Sequence, residues 1–89
     1  MNSRTTRSFW RCFNALSKEL QERARDAFAK WRNNPSHPSL QFKRVHTGEL
    51  IYSVRISRGV RALGLREGDT MTWFWIGSHD EYERLMSGM

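Results

Sequence analysis

The chain has 89 residues, a net charge of +6, an isoelectric point near 10.5 and a hydrophobic content of 38% that comes in periodic blocks, which excludes a disordered chain. No apolar stretch approaches the roughly 20 residues that a membrane span requires, and the first residues lack the apolar core of a signal peptide. The single cysteine, Cys12, excludes an internal disulfide, so we expect one cytoplasmic domain over residues 1–89.

The first third of the chain is predicted to hold a strand and a helix. Residues 8–16, SFWRCFNAL, are few and rich in aromatic side chains, which favours an N-terminal strand with Cys12 buried in it. Ser17 is typical of a helix N-cap, and Glu19 lies in the first turn, where its charge suits the helix dipole. Apolar residues then recur at spacings of three and four, which predicts a helix from about Lys18 to Trp31.

The middle of the chain has the pattern of a β-meander. Residues 33–39, NNPSHPS, predict an ordered loop, because two prolines enforce extended or turn geometry. Alternating residues and tight turns then predict four strands, at residues 40–45, 50–57, 60–65 and 71–77. The last strand, MTWFWIG, is the most hydrophobic, so we expect it to be central and covered on both faces.

The end of the chain is predicted to be a short helix. Ser78 and Glu81 have the S-x-x-E spacing of a capping box, which predicts a helix from about His79 to Met86. The order of elements predicts an α+β domain: an N-terminal strand, a helix packed on a twisted, mainly antiparallel four- to five-stranded sheet, and a short C-terminal helix.

Positive charge is unevenly distributed along the chain. Residues 1–18 hold four cations and no acid, and residues 30–61 hold seven cations against one acid, Glu49. Such a distribution favours a polyanionic partner, a nucleic acid or a ribosome. An acidic protein partner is compatible with the same pattern, and so is a basic surface without a specific ligand.

Four side chains are expected to meet at one end of the sheet. Arg55 and Arg61 flank the turn between two strands, and His79 follows the last strand. Tyr82 is three residues further, on the same side of a helical turn. These residue types suit RNA cleavage by attack of the 2′-OH on the adjacent phosphorus: histidine exchanges protons near neutral pH, and arginine binds phosphate with paired donors. Tyr82 would orient the nucleotide, stack on a base or donate a proton.

Each of these residues also has a structural interpretation. The two arginines can be solvated or paired with acids, His79 can be simply the first residue of its helix, and Tyr82 can be a packing residue. His37 and His46 lie in loops or at strand ends, where a structural role is expected. The histidines and the cysteine lack the spacing of metal ligands, so neither a metal nor a cofactor is expected.

Three segments together resemble the RelE/ParE superfamily of bacterial type II toxins: NPSHPSLQFKRV, YSVRISRGVRALGLREGD and WFWIGSHDEYERL. The resemblance runs from Phe9 to Leu85 and implies the fold described above. Members of the RelE type are mRNA interferases, which usually cut mRNA in the ribosomal A site without a metal. ParE-type members share the fold and poison DNA gyrase. Both types are normally neutralised by an antitoxin whose C-terminal segment wraps the toxin.

The resemblance also implies roles for individual residues. Arg61, in GVR, matches the phosphate-binding arginine of the family's G-Y-R strand, with Val60 in place of the usual aromatic residue. His79 corresponds to the C-terminal histidine that some members use as general acid or base, and Tyr82 to the C-terminal aromatic residue of others. Arg55 lies near the basic positions of the preceding strand. The resemblance places Lys43 and Arg44 where basic residues approach the RNA backbone. Arg58, in the turn before Arg61, is also expected to bind RNA.

Three functions stay open on the sequence. The first is a metal-independent endoribonuclease that cuts mRNA, on the ribosome or free of it. The second is a gyrase-directed toxin that acts by binding, and the third is a catalytically silent interaction protein. RelE relies on lysines in the strand before the conserved arginine, where Tyr52 and Val54 or their neighbours stand here, so a catalytic set here would centre on His79. An acidic antitoxin is expected to cover the basic face.

Overall fold

The structure is a computed structural model that describes residues 1–88. Within these residues five strands form one sheet: β1 (Asn2–Thr5), β2 (Lys43–Arg44), β3 (Ile51–Ser57), β4 (Val60–Glu67) and β5 (Thr70–Ser78). The same residues form three α-helices, α1 (Arg7–Asn14), α2 (Lys18–Asn33) and α3 (His79–Ser87), and a 3-10 turn, Pro38–Leu40, precedes β2. The predicted α+β fold class is confirmed.

The strands lie in the order β1-β5-β4-β3-β2. Strand β1 runs parallel to β5, and the other pairs are antiparallel. The most hydrophobic strand, β5, therefore has a neighbour on both sides, as its sequence predicted. The expectation that both of its faces are covered is wrong, because Thr72, Phe74 and Trp75 are only partly buried. Within residues 1–88, no helix is long and apolar enough to cross a membrane.

The predicted strand over residues 8–16 is wrong. These residues form α1, whose N-cap is Thr6, and the first strand lies earlier, at β1. The reason is that α1 is short: its buried residues, Phe9 and Phe13, are four residues apart and show the helical period only once. Cys12, expected in a buried strand, lies in α1 and is partly exposed.

The other boundaries differ from the prediction by a few residues. Helix α2 begins after the predicted N-cap, Ser17, and continues two residues beyond Trp31. The predicted strand at residues 40–45 shrinks to the two residues of β2. The 3-10 turn occupies its start, and Gln41 adopts a left-handed conformation (φ 46°) that no strand accommodates.

The helices α1 and α2 cover one face of the sheet, called here the helix face. Its core is aromatic: the ring of Trp73 lies 5.3 Å from that of Trp31 and 5.0 Å from that of Phe28, both edge-on. Val54 and Ala62, in the middle of β3 and β4, are fully buried in the same core. This packing fixes the sheet, and with it the residues on the opposite face.

Candidate functional site

The opposite face of the sheet, called here the arginine face, is organised by the cross-strand register. Arg61 in β4 lies opposite Arg55 in β3 on one side and opposite Gly77 in β5 on the other. Residues that are paired across strands point to the same face. The neighbouring row on this face consists of Lys43, Ser53, Leu63 and Trp75.

Gly77 makes room for a large ring beside Arg61. A Cβ atom at position 77 would lie 2.6 Å from Cζ2 of Trp75, so the indole ring occupies the space above the glycine. Because Gly77 is the cross-strand partner of Arg61, the indole ring lies above the residue paired with Arg61. Sequence reasoning missed Trp75, although the spacing W-I-G is visible in the chain.

The guanidinium of Arg61 is positioned by two neighbours. Its Nη2 donates to Oε1 of Gln41 over 3.1 Å, and the ring of Tyr82 lies 5.7 Å from its Cζ. Its Nη1 is shielded from solvent and has no hydrogen-bond partner within residues 1–88. Neither of the two ion pairs found in that part of the chain includes Arg61. A shielded donor of an ionised group without an acceptor is costly, so an anion that reached it would be bound favourably.

Helix α3 brings His79 to the same place. The predicted capping box is confirmed, since the side chains of Ser78 and Glu81 bond reciprocally to each other's backbone N–H. The backbone N–H of His79 donates to the carbonyl of Gly59 over 2.8 Å, which ties the start of α3 to the turn between β3 and β4. The first turn of α3 is therefore fixed against the strand that carries Arg61.

Tyr82 joins the imidazole to the guanidinium. The ring centroids of His79 and Tyr82 are 5.7 Å apart, and the other contact of Tyr82 is Arg61. The His79 side chain is 41% exposed, and its Nε2 lies 3.6 Å from Oε1 of Glu83. The structure thus brings together three of the four predicted catalytic residues around one ring, with an imidazole that solvent and substrate can reach.

The predicted RNA-binding residues separate into two groups. Lys43 lies on the arginine face, opposite Ser53. Arg44 lies opposite Tyr52, which packs against the core on the helix face. The Arg44 guanidinium also donates to the carbonyls of His46 and Thr47, over 2.9 Å each, and so holds a loop. Arg44 is therefore directed away from Arg61.

Arg55 and Arg58 lie beside the Arg61 site. Both line a cleft between β3 and α2. Arg55 remains linked to the site by its pairing with Arg61, whereas Arg58 is exposed in the turn after β3. Arg55 thus lies beside Arg61, and it makes no hydrogen bond, ion pair or ring contact with His79 or Tyr82 in the described part of the chain.

The other two histidines have the structural roles that the sequence predicted. Nδ1 of His37 accepts from the backbone N–H of Ser39, and Nδ1 of His46 accepts from those of Gly48 and Glu49. Each imidazole stabilises a turn. No cluster of three or more His, Cys, Asp or Glu side chains suited to a metal ion occurs among the described residues.

Gln41 is the second residue of the site that sequence reasoning missed. It follows the 3-10 turn, and its left-handed backbone directs the side chain to Arg61. Asn and Gly are the residues that typically signal this conformation, and Gln is not. The available signal is indirect: a polar residue that follows directly after the N-P-x-x-P-S-L segment.

Comparisons with known proteins come from a family model and from solved structures. The model of ParE-like toxin domains matches residues 18–84. The RelB–RelE antitoxin–toxin complex from Methanococcus jannaschii aligns with a TM-score of 0.74 and 13% identity, over 92% of this chain and 96% of that chain. YafQ from E. coli aligns with a TM-score of 0.72 and 7% identity, over 91% and 96%.

A third structure agrees with these two. The YoeB/ParE toxin from Agrobacterium tumefaciens aligns with a TM-score of 0.67 and 15% identity, over 89% of this chain and 99% of that chain. No curated protein matches the sequence. At such low identities the solved structures establish a common fold, and the family model extends over most of the chain.

Proposed function

Because the chain belongs to the family of ParE-like toxin domains, in the RelE/ParE superfamily, we propose that it is the toxin of a toxin–antitoxin pair. We propose further that it acts as a metal-independent endoribonuclease on mRNA. The chemistry of the residues around Tyr82 supports this activity, and the RelE/ParE superfamily to which the chain belongs includes mRNA interferases.

The guanidinium of Arg61, which has no acidic partner within residues 1–88, is the observation that carries the proposal. It is held in place by Gln41 and Tyr82, has one shielded N–H without an acceptor, and forms no ion pair among the residues described. An arginine used for stability alone would normally be paired with an acid or solvated. A preorganised, uncompensated cation is suited to the charge that develops on a phosphate during cleavage.

His79 and Arg61 have complementary roles in the proposed reaction. His79 takes the proton of the 2′-OH, the 2′ oxygen forms a bond to the adjacent phosphorus, and the bond from phosphorus to the 5′ oxygen breaks. Arg61 binds the phosphate oxygens that gain charge. The leaving 5′ oxygen accepts a proton from Tyr82 or from water, which leaves a 2′,3′-cyclic phosphate and a 5′-OH. No redox step is required.

A protein antitoxin of acidic character is the second part of the proposal. The similar structure from M. jannaschii is an antitoxin–toxin complex. The net charge of +6 and the uncompensated Arg61 favour an acidic segment that covers the arginine face and keeps RNA from it. Whether the ribosome presents the mRNA is a separate question that ribosome-free cleavage assays answer.

Expression of the chain alone in a bacterium, with mapping of transcript 5′ ends, tests the activity. We expect Arg61→Gln and His79→Ala each to abolish cleavage and growth inhibition without a change in melting temperature. The matched control is Arg66→Gln, on the same strand: its guanidinium lies over Tyr52 and its Nε donates to the carbonyl of Gly68. This variant should stay toxic. Full toxicity of both site variants would show that the assigned residues are wrong.

A gyrase-directed toxin is the alternative, favoured by the match to a ParE-like family model. It acts by binding, so His79→Ala would remain toxic. Pulse labelling after induction separates the two functions: translation stops first for an endoribonuclease, and DNA synthesis stops first for a gyrase poison. A chain without any growth phenotype would be a catalytically silent interaction protein.

A further inference from the structure

The cleft between α2 and the edge of β3, which Arg55 and Arg58 line, has a volume of about 420 Å³. It exists because β2 is so short. Strand β2 pairs with only Tyr52 and Ser53, so the remaining residues of β3 have no strand neighbour on that side. The floor is apolar and buried, with Leu40 at 1% and Ile56 at 9% exposure. The cleft is named the basic cleft after the cations that line it: Arg23, Lys30, Arg55 and Arg58.

The charges of the basic cleft are poorly compensated. Asp26 is the single acid among its lining residues, against the four cations. Arg23 lies 3.6 Å from Glu19, in a pair so exposed (58% and 78%) that it contributes little. Lys30 donates to the hydroxyl of Ser39 over 3.3 Å. A surface with this balance attracts an anionic chain.

Arg55 links the basic cleft to the Arg61 site. Arg55 belongs to both, since it lines the cleft and is also the cross-strand partner of Arg61. Adjacent strands are roughly 5 Å apart, so a chain with its reacting phosphate at Arg61 reaches Arg55 within one strand spacing. Since α2 lies on the helix face, a strand that continues from Arg55 to Arg23 and Lys30 passes around the edge of β3 that β2 leaves uncovered.

We propose that the basic cleft binds the backbone of the RNA strand whose reacting phosphate lies at Arg61, as a subsite for phosphates on one side of the cut. This inference depends on the proposed endoribonuclease function. No aromatic side chain lines the cleft, so it offers no stacking surface for bases. Its contacts would be with phosphates, which position a strand without reading its sequence.

RNA suits the basic cleft better than a peptide does. A peptide segment docks mainly through apolar anchors, and the apolar floor of the basic cleft is already buried. The surface that offers an exposed apolar ring lies on the other side of α2. There an aromatic cleft is lined by Trp10, which is 46% exposed, with Arg25 and Arg32 among its lining residues.

Helix α2 supplies a matched pair of variants. Arg23 and Lys30 line the basic cleft, and Arg25 and Arg32 line the aromatic cleft, with the same spacing of seven residues. The pairs are offset by two residues, roughly 200° around the helix axis. The test variant is Arg23→Gln/Lys30→Gln, and the control is Arg25→Gln/Arg32→Gln. Both remove two positive charges from one helix, so a general loss of charge affects them equally.

The measurement is RNA affinity as a function of salt. The probe is a single-stranded oligonucleotide with a 2′-deoxy nucleotide at the cleavage position, which cannot be cut. The logarithm of the binding constant falls with the logarithm of salt concentration by about 0.7 for each phosphate contact on a single strand. We expect the test variant to reduce this slope by roughly 0.7 to 1.4 and the control to keep it.

The outcomes separate the subsite from the proposed function. Equal salt slopes for the two double variants would overturn the subsite. The proposed function would not be affected by that result, because Arg61→Gln tests it separately. The subsite would also be overturned if the test variant kept the salt slope of RNA binding but no longer bound an acidic antitoxin. The cleft would then be a protein-binding surface. If the parent chain does not bind the oligonucleotide, the subsite fails, whereas the proposed function is still tested by the mapping of transcript 5′ ends in the cell, where ribosomes are present. Thermal unfolding checks that both double variants are folded.

Discussion

The two faces of the sheet use the same steric device for different ends. On the helix face, Gly64 lies beneath Met71 and Trp73, and a Cβ there would lie 2.7 and 2.8 Å from their atoms. On the arginine face, Gly77 lies beneath Trp75, with a corresponding distance of 2.6 Å. Gly64 lets two core side chains pack against β4, whereas Gly77 leaves space for a ring above the cross-strand partner of Arg61.

The faces differ most in how their polar groups are satisfied. On the helix face the indole N–H of Trp73 donates to Ser3, and that of Trp31 is shielded without a partner. The other two shielded side-chain groups without a partner in residues 1–88 lie on the arginine face, in Ser53 and Arg61. Arg61 is the charged one of the three, and the proposal of a phosphate site on the arginine face rests on that group.

Gly64→Ala tests the helix face and should have the largest effect on stability. The end of the Met71 side chain can move, but the ring of Trp73 is 1% exposed and confined by Trp31 and Phe28. We expect the free energy of unfolding to fall by about 1–3 kcal/mol, as measured by urea denaturation. Gly59→Ala is the control, because nothing lies within 4 Å of its added Cβ. Equal midpoints would contradict this account of the core.

Gly77→Ala tests the arginine face and should have an intermediate effect on stability. Trp75 is only partly buried, so its ring can move outward, at a cost of about 1 kcal/mol. The displacement occurs at the cross-strand partner of Arg61, so we expect RNA cleavage to fall more than stability does. Gly64→Ala should show the reverse order. If cleavage simply follows stability in both variants, the two faces do not differ in function.

The parts of the fold that sequence reasoning placed well have local signals. The cap at Ser17, the capping box of Ser78 and Glu81, and the alternation in β3 are each contained in a few residues. Helix α1 lacked such a signal, because only Phe9 and Phe13 are buried in its eight residues. The many aromatic residues therefore favoured a strand, because a helical period seen over a single turn is a weaker signal.

The site was predictable only where strand order decides the geometry. Arg61, His79 and Tyr82 are placed together because β4 and β5 are adjacent and α3 follows directly. Gln41 and the basic cleft depend on features without a direct sequence signal. These are a left-handed backbone at a glutamine and a strand of two residues where six were expected. Both are set by tertiary packing of the loop before β2.

Tyr82→Phe should have the smallest effect and decides what Tyr82 does. The ring lies over Arg61 and next to His79, whereas its hydroxyl makes no hydrogen bond within the described part of the chain. If the ring acts by positioning the guanidinium, Tyr82→Phe keeps that contact, and single-turnover cleavage should change by less than about threefold. Tyr82→Ala removes a cation–π contact of about 0.5–1 kcal/mol, which corresponds to roughly two- to fivefold.

A much larger loss in Tyr82→Phe would assign a different role to the residue. Removal of a general acid typically lowers the rate by about 10²–10⁴-fold. A loss of that size on deletion of one oxygen would show that the phenol protonates the leaving 5′ oxygen. The arginine face would then supply both proton transfers from the first turn of α3, and Arg61 would bind the phosphate between them.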